Sequence, residues 1–175
     1  IKEVANDNIL NLGGTREGTF SVIQSLFNKK IKSKKPYVLM PNPFYQIYGG
    51  ATLLAGGISK QINLNEDNGF SLDLNSINEN IWKKCQIFVA CSPSNPTGSV
   101  LKEDEIRKII KLSRKYGFYI VSDECYIDIY RESKPKSFIE ISYKQFRNFK
   151  NIVSLHSLSK RSNLPGFRSG MICGD

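Results

Sequence analysis

The sequence predicts an α/β domain, a mostly parallel sheet flanked by helices on both faces. Three observations carry that expectation. Short apolar, β-branched runs alternate along the chain with stretches of helical periodicity, as strand–helix–strand units require. One run, Ile87-Phe88-Val89-Ala90, is apolar at every position, the pattern of a strand buried on both faces. Finally, 175 residues with 40% hydrophobic and 23% charged positions are enough for one packed core.

Each element follows from a local signal. Gly13-Gly14 precede a helix on which Phe20, Ile23 and Phe27 recur at i, i+3, i+7. Strands are expected at Tyr37 to Met40, Ile58 to Leu64 and Gln86 to Cys91. A second helix carries Ile106, Ile109 and Ile110 on one face. It opens with Glu103-Asp104-Glu105 and ends with Arg114-Lys115 before Gly117, which matches charge to the helix dipole and supplies a stop. Further strands are expected at Tyr119 to Asp123, Asn151 to Leu155 and Gly170 to Gly174. No internal repeat, low-complexity stretch or linker divides the chain, so residues 1–175 read as one domain.

Composition excludes several function classes. No window approaches the roughly 20 apolar residues of a membrane helix. The opening Ile1-Lys2-Glu3-Val4 is neither an initiator Met nor a signal peptide, and suggests a fragment or a processed chain. Cys85, Cys91, Cys125 and Cys173 show no CxxC spacing, which points to free thiols in a reducing, cytoplasmic setting. The single histidine, His156, cannot build a multi-histidine metal site, so no metal is expected. The net charge of +9 comes from 25 Lys and Arg spread along the chain, in clusters no longer than Lys29-Lys30 and Lys34-Lys35. No nucleic-acid recognition motif accompanies them, so nucleic acid is not the expected partner.

Five clusters sit at expected strand ends or helix starts, where open α/β sheets bind ligands. Gly13-Gly14-Thr15-Arg16-Glu17-Gly18 opens a helix and is either an anion site of free N–H groups or an ordinary capped start. Pro43-Phe44-Tyr45-Gln46-Ile47-Tyr48 supplies aromatic rings, for the core or for stacking on a planar ligand. Ser92-Pro93-Ser94-Asn95-Pro96-Thr97-Gly98 is a rigid turn able to fix the Asn95 amide. Asp123, within Ser122-Asp123-Glu124-Cys125-Tyr126, ends an apolar strand as a ligand contact or a helix cap. The stretch from His156 to Arg168 places Lys160 among hydroxyls, as a basic loop or as a nucleophilic lysine.

The joint order of these clusters resembles the large domain of fold type I pyridoxal-phosphate enzymes, in the class I and II aminotransferase family. The matching pieces are Gly14-Thr15-Arg16-Glu17-Gly18, Asn95-Pro96-Thr97-Gly98, Asp123-Glu124-Cys125-Tyr126 and Ser157-Leu158-Ser159-Lys160 with Pro165-Gly166-Phe167-Arg168. They cover essentially the whole chain. Pro41-Asn42-Pro43-Phe44-Tyr45 and the His156 to Gly170 stretch resemble, more narrowly, bacterial succinyldiaminopimelate aminotransferases.

The resemblance implies roles. Lys160 would hold the aldehyde of pyridoxal 5'-phosphate and later shuttle a proton at the substrate Cα. Asp123 would pair with the pyridine nitrogen. Asn95 and Tyr126 would hydrogen-bond the ring's phenolate oxygen, and Tyr45 would stack on the ring, with Phe44 the alternative. Gly14, Thr15, Arg16, Ser157, Ser159 and Arg168 would cup the phosphate, Arg168 through its two-pronged fork. The implied function is transfer of an amino group between an amino acid and a 2-oxo acid, with succinyldiaminopimelate and 2-oxoglutarate of lysine biosynthesis as the sharp version. The implied assembly is a cytoplasmic homodimer. The family's N-terminal arm and its C-terminal small domain, with the arginine that grips the substrate carboxylate, have no counterpart in this sequence. A same-fold carbon–sulfur β-lyase and the sensor domain of a transcription regulator are the alternatives.

Overall fold

A computed structural model describes residues 5–28 and 35–175. The Ile1 to Val4 opening, the Lys29-Lys30 pair and Lys34 lie outside the described residues. The chain runs β1 (Ile9–Leu12), α1 (Thr15–Leu26), β2 (Tyr37–Asn42), α2 (Ile47–Ala55), β3 (Ile58–Asn63) and α3 (Glu79–Lys84). It continues through β4 (Cys85–Cys91), α4 (Glu103–Tyr116), β5 (Tyr119–Asp123), α5 (Phe138–Phe146), β6 (Ile152–Ser157), α6 (Leu158–Arg161) and β7 (Gly170–Gly174). The seven strands form one sheet in the order β1-β7-β6-β5-β4-β2-β3. Strands β2 to β6 are mutually parallel, whereas β7 runs antiparallel to both β6 and β1.

The period of two along a strand explains the two layers. On β4, Ile87, Val89 and Cys91 pack with α1 and α2 through Ile23, Tyr48 and Ala51. Phe88 and Ala90 point the other way, into a core with Trp82, Ile106, Ile110, Phe118 and Phe138 from the α3–α4–α5 side. There the Trp82 ring stacks on Phe118 at 5.5 Å between centroids. All seven residues of β4 are buried, as its unbroken apolar run predicts. Helix α4 ends at Gly117 with φ +67°, a left-handed stop that glycine adopts without a steric cost.

The expected strands all form, Tyr119 to Asp123 and Gly170 to Gly174 with the expected ends and the other four with ends shifted by one or two residues. Strand β6 reaches Ser157 instead of Leu155, because its last two residues pair with Gly170 and Met171 of β7. Strand β1 lies outside the expected set, since four residues at a sheet edge carry little pattern of their own. Helix α5 lies outside it too, although its signal is local. Ser137 caps it by accepting from the Ile139 N–H, and Glu140 stands three residues after Ser137 as in a capping box.

Gly170 lets β7 run hard against β6. A β-carbon there would lie 2.7 Å from the backbone oxygen of His156, which cannot retreat without breaking the sheet. Gly50, inside α2, has nothing within 4 Å of that position. Gly170→Ala should cost about 1–3 kcal/mol in urea denaturation. Gly50→Ala should stabilise by up to about 1 kcal/mol. Equal effects would show that the close approach does not constrain the strand pair.

Candidate active site

A cleft of about 440 Å³ opens where β4, β5 and β6 end and α1 begins. Every site residue expected from the sequence lines it except Gly14. Gly14 shapes it from beneath: its φ is +120°, and a β-carbon would lie 2.2 Å from Arg168 Nη2. Only glycine lets the Arg168 guanidinium rest over the start of α1. The first-turn N–H groups of α1 lack helical acceptors and face an anion-binding end of the dipole. Arg168 is held there by Glu17 Oε2 at 3.0 Å and by the Pro165 carbonyl at 3.0 Å.

Asp123 ends β5, 4% exposed, and its carboxylate is surrounded by donors. The Tyr48 hydroxyl donates to Oδ2 at 2.8 Å. The Cys125 N–H and thiol both donate to Oδ1, at 3.3 and 2.7 Å. Burial first, and then the Asp123 charge, pushes the Tyr48 phenol well above its ordinary range. The same causes push the Cys91 thiol up to about 12 and raise that of Cys125. The phenol and both thiols therefore stay protonated at neutral pH, and Tyr48 and Cys125 serve as donors to the Asp123 carboxylate.

Around Asp123 the wall is polar and aromatic. Tyr126 follows in the turn after β5, its phenol raised chiefly by burial. Asn95 sits in a loop closed by Gly98 N–H to Ser94 O at 2.8 Å and Leu101 N–H to Ser92 Oγ at 3.0 Å. Tyr45 lines the cleft, edge-on to Tyr48 at 5.9 Å, with the Arg16 guanidinium 5.8 Å from its ring centroid. Phe44 instead packs beside Gly49 on α2, so the one-residue ambiguity falls to Tyr45 as the cleft ring. On the far side, Ser157 caps α6 by accepting from the Ser159 N–H at 3.1 Å. That short helix carries Lys160 on the cleft wall.

Sequence reasoning missed Tyr48 and Cys125 as partners of Asp123. Tyr48 was legible in principle, because it stands three residues after Tyr45 at a helix start and so shares its face. Cys125 had no signal beyond its place in the motif.

Comparison with known proteins identifies the family. The family described as aminotransferase class I and II matches residues 1–175. The chain belongs to the class I and II aminotransferase family. A curated LL-diaminopimelate aminotransferase of Aquifex aeolicus is 31% identical over 172 residues, 97% of this chain and 42% of that protein. A solved aminotransferase from Neisseria meningitidis superposes with a TM-score of 0.90 at 44% identity, over 98% of this chain and 44% of its own. A probable N-succinyldiaminopimelate aminotransferase from Thermus thermophilus superposes at 0.84 with 29% identity, over 96% of this chain and 43% of its own. The chain thus spans about two fifths of the length of the curated relative and the solved structures it matches. The family is generally dependent on pyridoxal phosphate.

The Tyr48–Asp123 contact can be tested directly. Tyr48→Phe keeps the buried ring and deletes one donor to a charged group, so it should cost about 1.5–3 kcal/mol of stability. Urea denaturation measures this, and an unchanged midpoint would show that Tyr48 does not support the carboxylate.

Proposed function

We propose that the chain forms the cofactor-holding part of a pyridoxal-phosphate aminotransferase that moves an amino group between an amino acid and a 2-oxo acid. The observation that carries this reading is the buried Asp123 carboxylate facing the same cleft as Lys160, with an anion-binding helix start at one end. The residues fit the cofactor. A phosphate suits the α1 N–H groups, Ser157, Ser159 and Arg168, over a cradle that a β-carbon at Gly14 would fill. A planar ring suits the face of Tyr45, with Asn95 and Tyr126 as polar partners at its edge.

When bound, the cofactor supplies an electron sink for a negative charge developing at the substrate Cα. The chain's own residues do the rest. Asp123 would face the pyridine nitrogen as its charge partner, and its fixed donors keep the carboxylate in place. The Lys160 amine would hold the cofactor and, with its nitrogen free, would be the base that moves a proton at the substrate Cα. Tyr45 and the Tyr126 hydroxyl would hold the ring from its face and its edge, keeping the substrate Cα in reach of Lys160.

The names of the relatives support a substrate in the diaminopimelate branch of lysine biosynthesis. A homodimeric, cytoplasmic enzyme is the matching assembly. Among the described residues no helix is long and apolar enough to cross a membrane.

Borohydride reduction of the full-length protein with pyridoxal phosphate, followed by peptide mass spectrometry, should place the adduct on Lys160 alone. An adduct on Lys111 or Lys150 instead would overturn the assignment. Asp123→Ala should leave the phosphate contacts intact, so turnover should fall far more than cofactor affinity, by at least on the order of a hundredfold. Near-normal turnover with glutamate and several oxo acids would place the electron-sink contact elsewhere.

A further inference from the structure

Strand residues alternate between faces, so the neighbours of Asp123 on β5 form a separate set on the opposite side. Ser122 lies opposite Ser154 in the β5–β6 register, and Glu124 and His156 follow two residues later on each chain segment. Glu124 is 1% exposed. Its Oε1 accepts from the Ser122 hydroxyl at 2.9 Å, the Ser154 hydroxyl at 3.1 Å and the Phe138 N–H at 3.0 Å. Its Oε2 is buried and meets no hydrogen-bond donor among the described residues. His156 Nε2 lies 3.6 Å from that oxygen.

This arrangement has a place to act. A cavity of about 270 Å³ lies behind α6, bordered by Glu124, His156, Leu158 and Arg161. Close packing therefore does not fix the turn carrying Lys160 from that side. What ties it down is polar: Leu158 N–H to Ser169 O at 3.1 Å, and Arg161 Nε beside Asp128 Oδ2 at 3.7 Å. A carboxylate oxygen left buried without a donor is costly, and a shift of about half an ångström brings Nε2 into hydrogen-bond range.

We propose that Glu124 and His156 are positioning residues, a pair that locks the ends of β5 and β6 together and so sets the Lys160 turn against Asp123. The proposal rests on the reading of Lys160 and Asp123 as cofactor contacts. Glu124 holds β5, β6 and the start of α5 through Oε1, and reaches through Oε2 to the residue four before Lys160. The sheet thus uses one carboxylate for the cofactor and the next one, on its other face, for the frame.

The test compares His156→Leu with His156→Gln in the full-length protein, with His156→Ala as the second apolar variant should leucine overfill the cavity. Glutamine keeps a donor at similar reach, while leucine and alanine do not. Amide hydrogen exchange of the cofactor-free protein is the first readout. Exchange over residues 158 to 161 should quicken on the order of tenfold in the apolar variants, with α4 unchanged and the glutamine variant near wild type. Pyridoxal-phosphate uptake, followed by absorbance, should weaken by a similar factor in the apolar variants and recover with glutamine. Unchanged local exchange, acceleration throughout the protein, or a glutamine variant as impaired as leucine would each overturn the proposal. A wild-type protein that takes up no pyridoxal phosphate counts against the cofactor reading instead, and the exchange comparison still decides the positioning role.

Discussion

A charged carboxylate at the end of a buried strand is stable only if donors are fixed around it, and Asp123 imposes that requirement on much of this fold. Its Oδ2 takes the Tyr48 hydroxyl, so α2 must present that ring from across β2 and β4. Its Oδ1 takes Cys125, so the chain must turn immediately after β5. Thr15 Oγ1 donates to the same thiol at 3.8 Å, which ties the start of α1 to that turn. A buried carboxylate left without such partners is costly. The carboxylate is therefore not a lone functional group but the meeting point of α1, α2 and β5.

The alternation of β5 and β6 then separates two tasks. Residues on the α1–α2 face reach the cleft, and those on the α5 face reach Glu124 and its hydroxyl donors. Because β5 and β6 are parallel and in register, a shift of one would carry both faces with it. Strand β7 limits such shifts by pairing antiparallel with β6 through to Ser157. It extends the sheet beside the Lys160 turn without a crossover helix, which leaves the cavity behind α6 open.

The fold class was legible because period two and period 3.6 are written plainly in this chain. The β4 run and the α4 face with its charged ends needed no tertiary information. The cleft was legible through motif order, since each cluster alone had an ordinary alternative. What stayed hidden depended on contacts distant in sequence. Tyr48 reaches Asp123 across 75 positions, and Ser154 reaches Glu124 across 30. Strand β1 exists because β7 offers it a partner, not because Ile9–Leu12 carries a strong pattern. Phe44 and Tyr45 are both aromatic, and only the start of α2 decides which ring faces the cleft.

The anion-binding end of the cleft shows how rigid and yielding parts are combined. Arg168 shares its charge with Glu17, in a pair whose side chains are 51% and 59% exposed. Such exposed pairs contribute only about 0.2–1 kcal/mol, so this contact yields easily. The start of α1 is different in kind, because its free N–H groups are set by backbone, whereas the close contacts at Gly14 are with the movable side-chain ends of Arg168 and Glu17. Helix start, Ser157 and the Arg168 fork reach this end of the cleft from three separate elements, so its polar lining is assembled by the fold and not by one stretch of sequence.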